Sequence, residues 1–358
     1  MTPTGMFIST LYDRLSAIGF DKTFIRSKAL PDWWDAQFEA TEGAVVEAAT
    51  YISRRLNLDL TSLLKPDAIP TFKTASPAKF KLKPGSEIEQ LKVAYGMASR
   101  VAEMVAYACI PESKSLPNSA QQMRDEILTT LNPLEPSLPN SPLRSSQSFG
   151  NLERLLEFCW SYGIPVVHFD GFPTAEGVRT FEGLVTFFSN RPVIILSLKH
   201  CSFARLLFTL AHQLGHLIQG HGKGFSILDE EIDPDSIEPE ELEANEFALE
   251  LLLGKPDMGY YTPRIFTDKQ LAGYAQTVSV RDRVDPGVVA LNYAWNKANR
   301  ASTKNEQFLI LETAQKALHF IERDVDAPAI INRYLHRHLD LERLDIDSQD
   351  YLELVTAR

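Results

Sequence analysis

At 358 residues the chain exceeds one typical hydrophobic core, so two or three domains are expected. Its composition, 44% apolar and 23% charged, is that of a folded globular protein and excludes bulk disorder. The formal net charge of -11 excludes a broad nucleic-acid-binding face, which relies on clustered Lys and Arg. Three cysteines, Cys109, Cys159 and Cys201, are odd in number and widely spaced, which fits core thiols in a reducing compartment and no disulfide framework. The first twenty residues lack a basic leader region, and no apolar run reaches the length of a membrane span, so a cytoplasmic protein is expected.

In chain order, Ile8, Leu11, Leu15 and Ile18 recur at helical spacing, and Val45, Ala49, Ile52 and Leu56 repeat the pattern after Thr41. Residues 1–66 therefore read as a helical N-terminal unit. From Leu60 the periodicity dissolves into Lys-, Pro- and Ser-rich sequence, and 67–85 reads as an exposed, protease-sensitive linker. A capping box, Ser86-Glu87-Ile88-Glu89, opens a helix that begins a second domain, 86–262. A Pro- and Ser-rich loop spans 132–148, followed by a helix from Leu152 to Tyr162. Three short β-like runs come next: Pro165 to Phe169, Gly183 to Phe188 and Pro192 to Ser197. After Thr267 the pattern is helical again, with Asp285-Pro286 as a helix start, which gives a helical C-terminal domain at 263–358. The fold class expected is α+β, mainly helical, with a small β-sheet packed on a helix pair and helical units on either side.

His212 and His216 are four residues apart in a stretch, Arg205 to Gln219, that otherwise reads as a buried helix. Side chains at i and i+4 share a helix face, so both imidazoles can reach one metal ion. The apolar strand before them, Pro192 to Ser197, is expected at the rim of a cleft, where it could pair with an extended peptide. An acidic loop then leads to a second helical stretch from Glu241 to Ala248, and a carboxylate from it could complete a His2Glu set with water in the fourth position. Small Ala244 and Ala248 would let that helix approach the first closely.

The string Leu207-Phe208-Thr209-Leu210-Ala211-His212-Gln213-Leu214-Gly215-His216-Leu217, followed by Glu243-Ala244-Asn245 and Phe247-Ala248-Leu249-Glu250-Leu251-Leu252, resembles the ImmA/IrrE family of zinc metallopeptidases. The likeness spans roughly residues 150–255. Carried over by position, it implies one Zn2+ per chain held by His212, His216 and Glu243, with the catalytic general base at position 213. There the family's HExxH has glutamate and this chain has Gln213. A carboxylate at that position takes a proton from the attacking water and passes it to the leaving amine; an amide of nearly the same shape cannot. The expectation is an inactive Glu-to-Gln form, either introduced into an intact site or native to a pseudo-peptidase. The resemblance further implies a protein substrate, a DNA-binding repressor or antitoxin-like regulator, in stress response, mobile-element control or phage defence.

Two rival readings are a non-catalytic zinc-site protein that binds a peptide, and a transcription regulator with a helix-turn-helix in the first 60 residues. The second is weakened by charge: Arg14, Lys22, Arg26, Lys28, Arg54 and Arg55 face eight acids there. His221 lies five residues past His216, where a metzincin needs a histidine six past, so that class is excluded; His221 reads as an ordinary polar residue, with a cleft-lining donor as the alternative. His336 and His338 read as surface residues, and Trp33 with Trp34 as a packed corner.

Overall fold

The computed structural model describes residues 6–73, 77–130, 152–198, 202–322 and 326–357. The Pro- and Ser-rich loop at 132–148 and Cys201 lie outside the described residues. The N-terminal unit is helical: α1 (Ile8–Ala17), α2 (Lys22–Phe24) running into a π turn, α3 (Ala36–Glu39), α4 (Ala44–Arg55) and α5 (Leu60–Leu64). There follow β1 (Ala78–Lys81), α6 (Ile88–Ala108), α7 (Ala120–Thr130), α8 (Leu152–Ser161), β2 (Val166–His168), β3 (Gly183–Phe188) and β4 (Arg191–Leu196). The chain continues through α9 (Phe203–Gln219), β5 (Ser226–Asp229), α10 (Pro239–Leu253), α11 (Asp268–Asp282), α12 (Pro286–Ala298), α13 (Lys304–Ile321), α14 (Ala327–Arg337) and α15 (Ile346–Thr356). This is the α+β class with helical flanks. No helix among the described residues is long and apolar enough to cross a membrane.

The sheet order is β1-β5-β3-β4-β2. β3 and β4 form a hairpin in which Phe188 faces Arg191 across Ser189-Asn190. Both turn residues have positive φ, 49° and 65°, the backbone that matches the right-handed twist of flanking strands in a two-residue turn. Side chains along β3 alternate between the two faces. Gly183 points at Gln213 of α9, whereas Thr186 bonds Ser226 of β5, which in turn accepts from Tyr95 of α6. α9 and α6 therefore cover opposite faces, and the sheet is buried on both.

Two expectations change here. The stretch read as a linker contributes β1, paired in parallel with β5 from Ala78↔Ser226 to Lys81↔Asp229. Its lysines also cross to the start of α10: Lys79 pairs with Glu240 at 2.5 Å and Lys81 with Glu238 at 2.9 Å. A Lys- and Pro-rich composition hid a strand whose alternate residues meet acids on another element. The second change concerns β4, which is interior, flanked by β3 and β2, so its backbone groups are already paired and cannot take an added peptide strand. On the outer side of β2 the Asn332 side chain of α14 accepts from the His168 N–H at 3.0 Å and donates to its carbonyl at 3.1 Å, so that residue's backbone is satisfied as well.

Smaller features follow the sequence closely. Asp285 caps α12 by accepting from the Val288 N–H at 2.9 Å. The capping box of α6 is shifted by one residue: Gln90 accepts from the Glu87 N–H at 3.1 Å, while the Ser86 hydroxyl donates to Glu230 at 2.7 Å. Cys109 and Cys159 are buried free thiols. Trp34 is buried against Phe38, with Trp33 alongside. His336 is exposed at the surface, while His338 stacks on Trp160. The buried core is continuous from the N-terminal helices to α15, where Asp347 meets Arg55 at 2.6 Å.

Candidate metal centre

α9 begins at Ser202, whose hydroxyl accepts from the Arg205 N–H at 3.1 Å, and ends at Gly220 in the left-handed conformation, φ 75°. Its first turn is fastened from outside by Glu322, at the end of α13, which accepts from the Phe203 and Ala204 N–H groups at 2.8 and 2.9 Å. A carboxylate at a helix N-terminus satisfies orphan donors and complements the dipole. Burial pushes the Glu322 carboxyl up to about 7, and neighbouring Asp285 adds to the rise.

α10 packs against α9 where Gly215 meets Ala244. A Cβ on Gly215 would sit 2.9 Å from the Ala244 Cα and 3.2 Å from the Phe247 Cβ, so only glycine allows this approach. The close crossing carries the start of α10 to the histidine face of α9. There His212, His216, Asp229 and Glu241, all buried, bring one ligand atom each within 4.8 Å of one another. The two Nε2 atoms are 3.0 Å apart. Glu241 Oε2 lies 3.5 Å from His212 Nε2, and Oε1 lies 3.4 Å from His216 Nε2. Asp229, the last residue of β5, sets Oδ2 at 3.7 and 3.6 Å from the same two nitrogens.

The outer ring nitrogens are each occupied. His212 Nδ1 is 2.9 Å from Asn245 Oδ1, and Asn245 donates to the Asp233 carbonyl at 2.9 Å. His216 Nδ1 is 2.9 Å from His221 Nδ1, and His221 Nε2 is 2.9 Å from Glu243 Oε2. One assignment satisfies every pair: both ligating rings carry the proton on Nδ1, His221 carries it on Nε2, and the two inward Nε2 lone pairs are free for a metal. Burial, reinforced by His212 and His221, holds His216 far below the ordinary histidine range, so it stays neutral as a ligand must. Burial pushes the Asp229 carboxyl up to about 7; Glu241 adds to the rise, while His212 and the Gln213 amide oppose it.

The structure thus brings together His212, His216 and Gln213, but not Glu243. Its side chain is 54% exposed and turned to His221. The carboxylates that reach the pair are Glu241 and Asp229. Residues 241 and 243 are separated by about 200° around a helix, so they cannot share a face. Glu241 and Asn245, at i and i+4, do share one, and that spacing was the available signal. Asp229 had none, being one acid in an acidic loop brought in by strand pairing. His221, for which a cleft-lining donor is the alternative reading, supports His216 from behind. Gln213 is fully buried, with its amide donating to Asp229 Oδ2. It fits because Gly183 leaves space: a Cβ there would lie 2.4 Å from Gln213 Nε2.

The donor set, two imidazoles and two carboxylates, fits a divalent transition metal better than magnesium or calcium, which prefer all-oxygen shells. Gln213 Oε1 and Asp229 Oδ1 are buried without a hydrogen-bond partner, and Glu241 Oε1 has the Lys81 ammonium at 3.7 Å but no hydrogen bond, which is costly unless a further cation compensates them. No curated protein and no solved structure matches the chain. Residues 161–292, which include every member of the cluster, match the family model described as the IrrE N-terminal-like domain of peptidase family M78. Those residues form a domain of this metallopeptidase family, and the match extends to less than half of the chain.

Proposed function

We propose that this metallopeptidase-type domain holds one zinc ion on His212, His216 and Glu241 and engages a segment of another protein, and that with Gln213 it holds that segment rather than cutting it. The carrying observation is the buried convergence of both Nε2 lone pairs on the Glu241 carboxylate, with an amide at the one neighbouring position where a proton carrier is needed. In an open site of this kind, zinc polarises a peptide carbonyl and lowers the pKa of bound water. The chain's own residues supply the rest: Asn245 and His221 fix the imidazole orientation, Gly215 sets the helix spacing, and Gln213 donates a hydrogen bond but carries no proton. A repressor or antitoxin-like protein is the partner class that the resemblance suggests. A DNA-binding role of the first 60 residues has less support, since Arg14, Arg26 and Arg55 are engaged by Ser62, Glu39 and Asp347.

Elemental analysis of the full chain purified without chelator tests the metal. One zinc per chain is expected, and a metal-free protein that takes up no added zinc would remove the basis of this reading. Comparison of new protein termini in native-host lysate, with and without the chain, tests the second half. None should arise with Gln213 in place.

A further inference from the structure

Asp229 Oδ2 lies beside both imidazole Nε2 atoms, at 3.7 and 3.6 Å, where the sequence reading expects no protein ligand. With metal–ligand distances of about 2.0 to 2.2 Å, the vertices of a tetrahedron are about 3.3 to 3.6 Å apart. The observed separations among the inward atoms are 3.0 Å between the imidazoles, 3.5 and 3.4 Å from them to Glu241, and 3.7 and 3.6 Å from them to Asp229. Asp229 therefore stands only slightly further off than Glu241, at 3.7 and 3.6 Å against 3.5 and 3.4 Å. It presents a single oxygen, Oδ2, almost equally to both nitrogens, as a vertex would.

We infer that Asp229 is the fourth protein ligand and that Gln213 is its positioning residue, so that the centre is a closed His2AspGlu site. This rests on the metal reading above. The Gln213 amide donates to Oδ2, the same oxygen that faces the imidazoles, and so fixes its orientation. The backbone of Asp229 is fastened as well, by pairing with Gly183 and by accepting from the Glu182 N–H at 2.8 Å. A glutamate at 213 would set an acceptor against an acceptor, whereas glutamine is complementary. The amide and the aspartate form a matched pair, and together they keep a substrate carbonyl off the metal. The site then serves as a rigid node joining α9, α10 and β5.

The test uses the full chain loaded with cobalt in place of zinc, with acetohydroxamic acid as a small probe that needs a free coordination position. The wild-type visible spectrum should be tetrahedral and unchanged by millimolar probe, and Asp229→Ala should respond to it. Asp229→Asn and Asp229→Ala should each weaken zinc at least tenfold in chelator competition, and Gln213→Ala should weaken it less, with fold checked by circular dichroism. A wild-type spectrum that shifts with the probe overturns the closed site while leaving the metal reading intact, and needs no variant to fold. Zinc affinity unchanged in Asp229→Asn overturns it too. A chain that takes up neither cobalt nor zinc overturns the metal reading and this inference with it.

Discussion

Glu241 and Glu243 lie two residues apart on α10 and face opposite ways: Glu241 is buried against both imidazole Nε2 atoms, and Glu243 reaches the surface side of His221. Their substitutions should separate accordingly. Glu241→Ala should bring zinc stoichiometry from one per chain to near zero. Glu243→Ala removes only a support two hydrogen bonds away from the metal, so it should keep the zinc and weaken it by less than the roughly 10- to 100-fold typical of groups bonded directly to a ligand. Metal analysis and chelator titration decide it. The reverse order would return the ligand role to Glu243.

Restoring hydrolysis should need two changes. Gln213→Glu alone supplies a proton carrier but sets it against Asp229, so its gain should be small. Gln213→Glu with Asp229→Ala opens the fourth position as well and should raise cleavage on the order of a hundredfold, the lower end of what a positioned proton carrier contributes. New termini in native-host lysate are the readout. Full activity from the single variant would mean that the Asp229 side chain yields readily.

Trypsin should cut slowly after Lys79 and Lys81, against the expectation from composition. Both residues lie in a paired strand, and both ammonium groups are engaged by Glu240 and Glu238. Cleavage there should be at least tenfold slower than in the urea-denatured chain, followed by mass spectrometry. Equal rates would mean that β1 is not held in solution.

Folding stability should fall as pH rises from about 4.5 to 7. Burial raises the Glu322 carboxyl from 4.5 to about 7, so within that window the unfolded chain loses a proton that the folded chain keeps. The stabilisation is complete below the unfolded value and lost as pH passes the folded one, up to about 3 kcal/mol. Glu322→Gln should flatten this slope in urea unfolding measured at several pH values. An unchanged slope would assign it to other acids.

Gly215→Ala should destabilise the domain by about 1 to 3 kcal/mol, because the new methyl meets the Ala244 backbone, which cannot move without α10. Zinc affinity should fall with it, since Glu241 travels on the same helix. Thermal unfolding and chelator titration on one sample would show whether the two losses go together.

The sequence by itself determined the local structure and the histidine face of α9. The helical periodicities of α1, α4 and α8, the strands β2, β3 and β4 and the Asp285 cap depend on neighbours within a few residues, and so does the His212/His216 pair one turn apart. What the sequence could not fix was which residues face that pair from elsewhere. Motif position pointed to Glu243, but the rotation of α10 about its axis is set by Gly215 packing on Ala244, and that contact turns Glu241 inward. Asp229 arrives through the register of β5 on β3, and β1 through pairing with β5, both products of hydrogen bonding between segments far apart in sequence. Whether β4 was an edge or an interior strand depended on the order of the whole sheet. Periodicity records which face of an element is apolar. Only tertiary packing decides what that face meets.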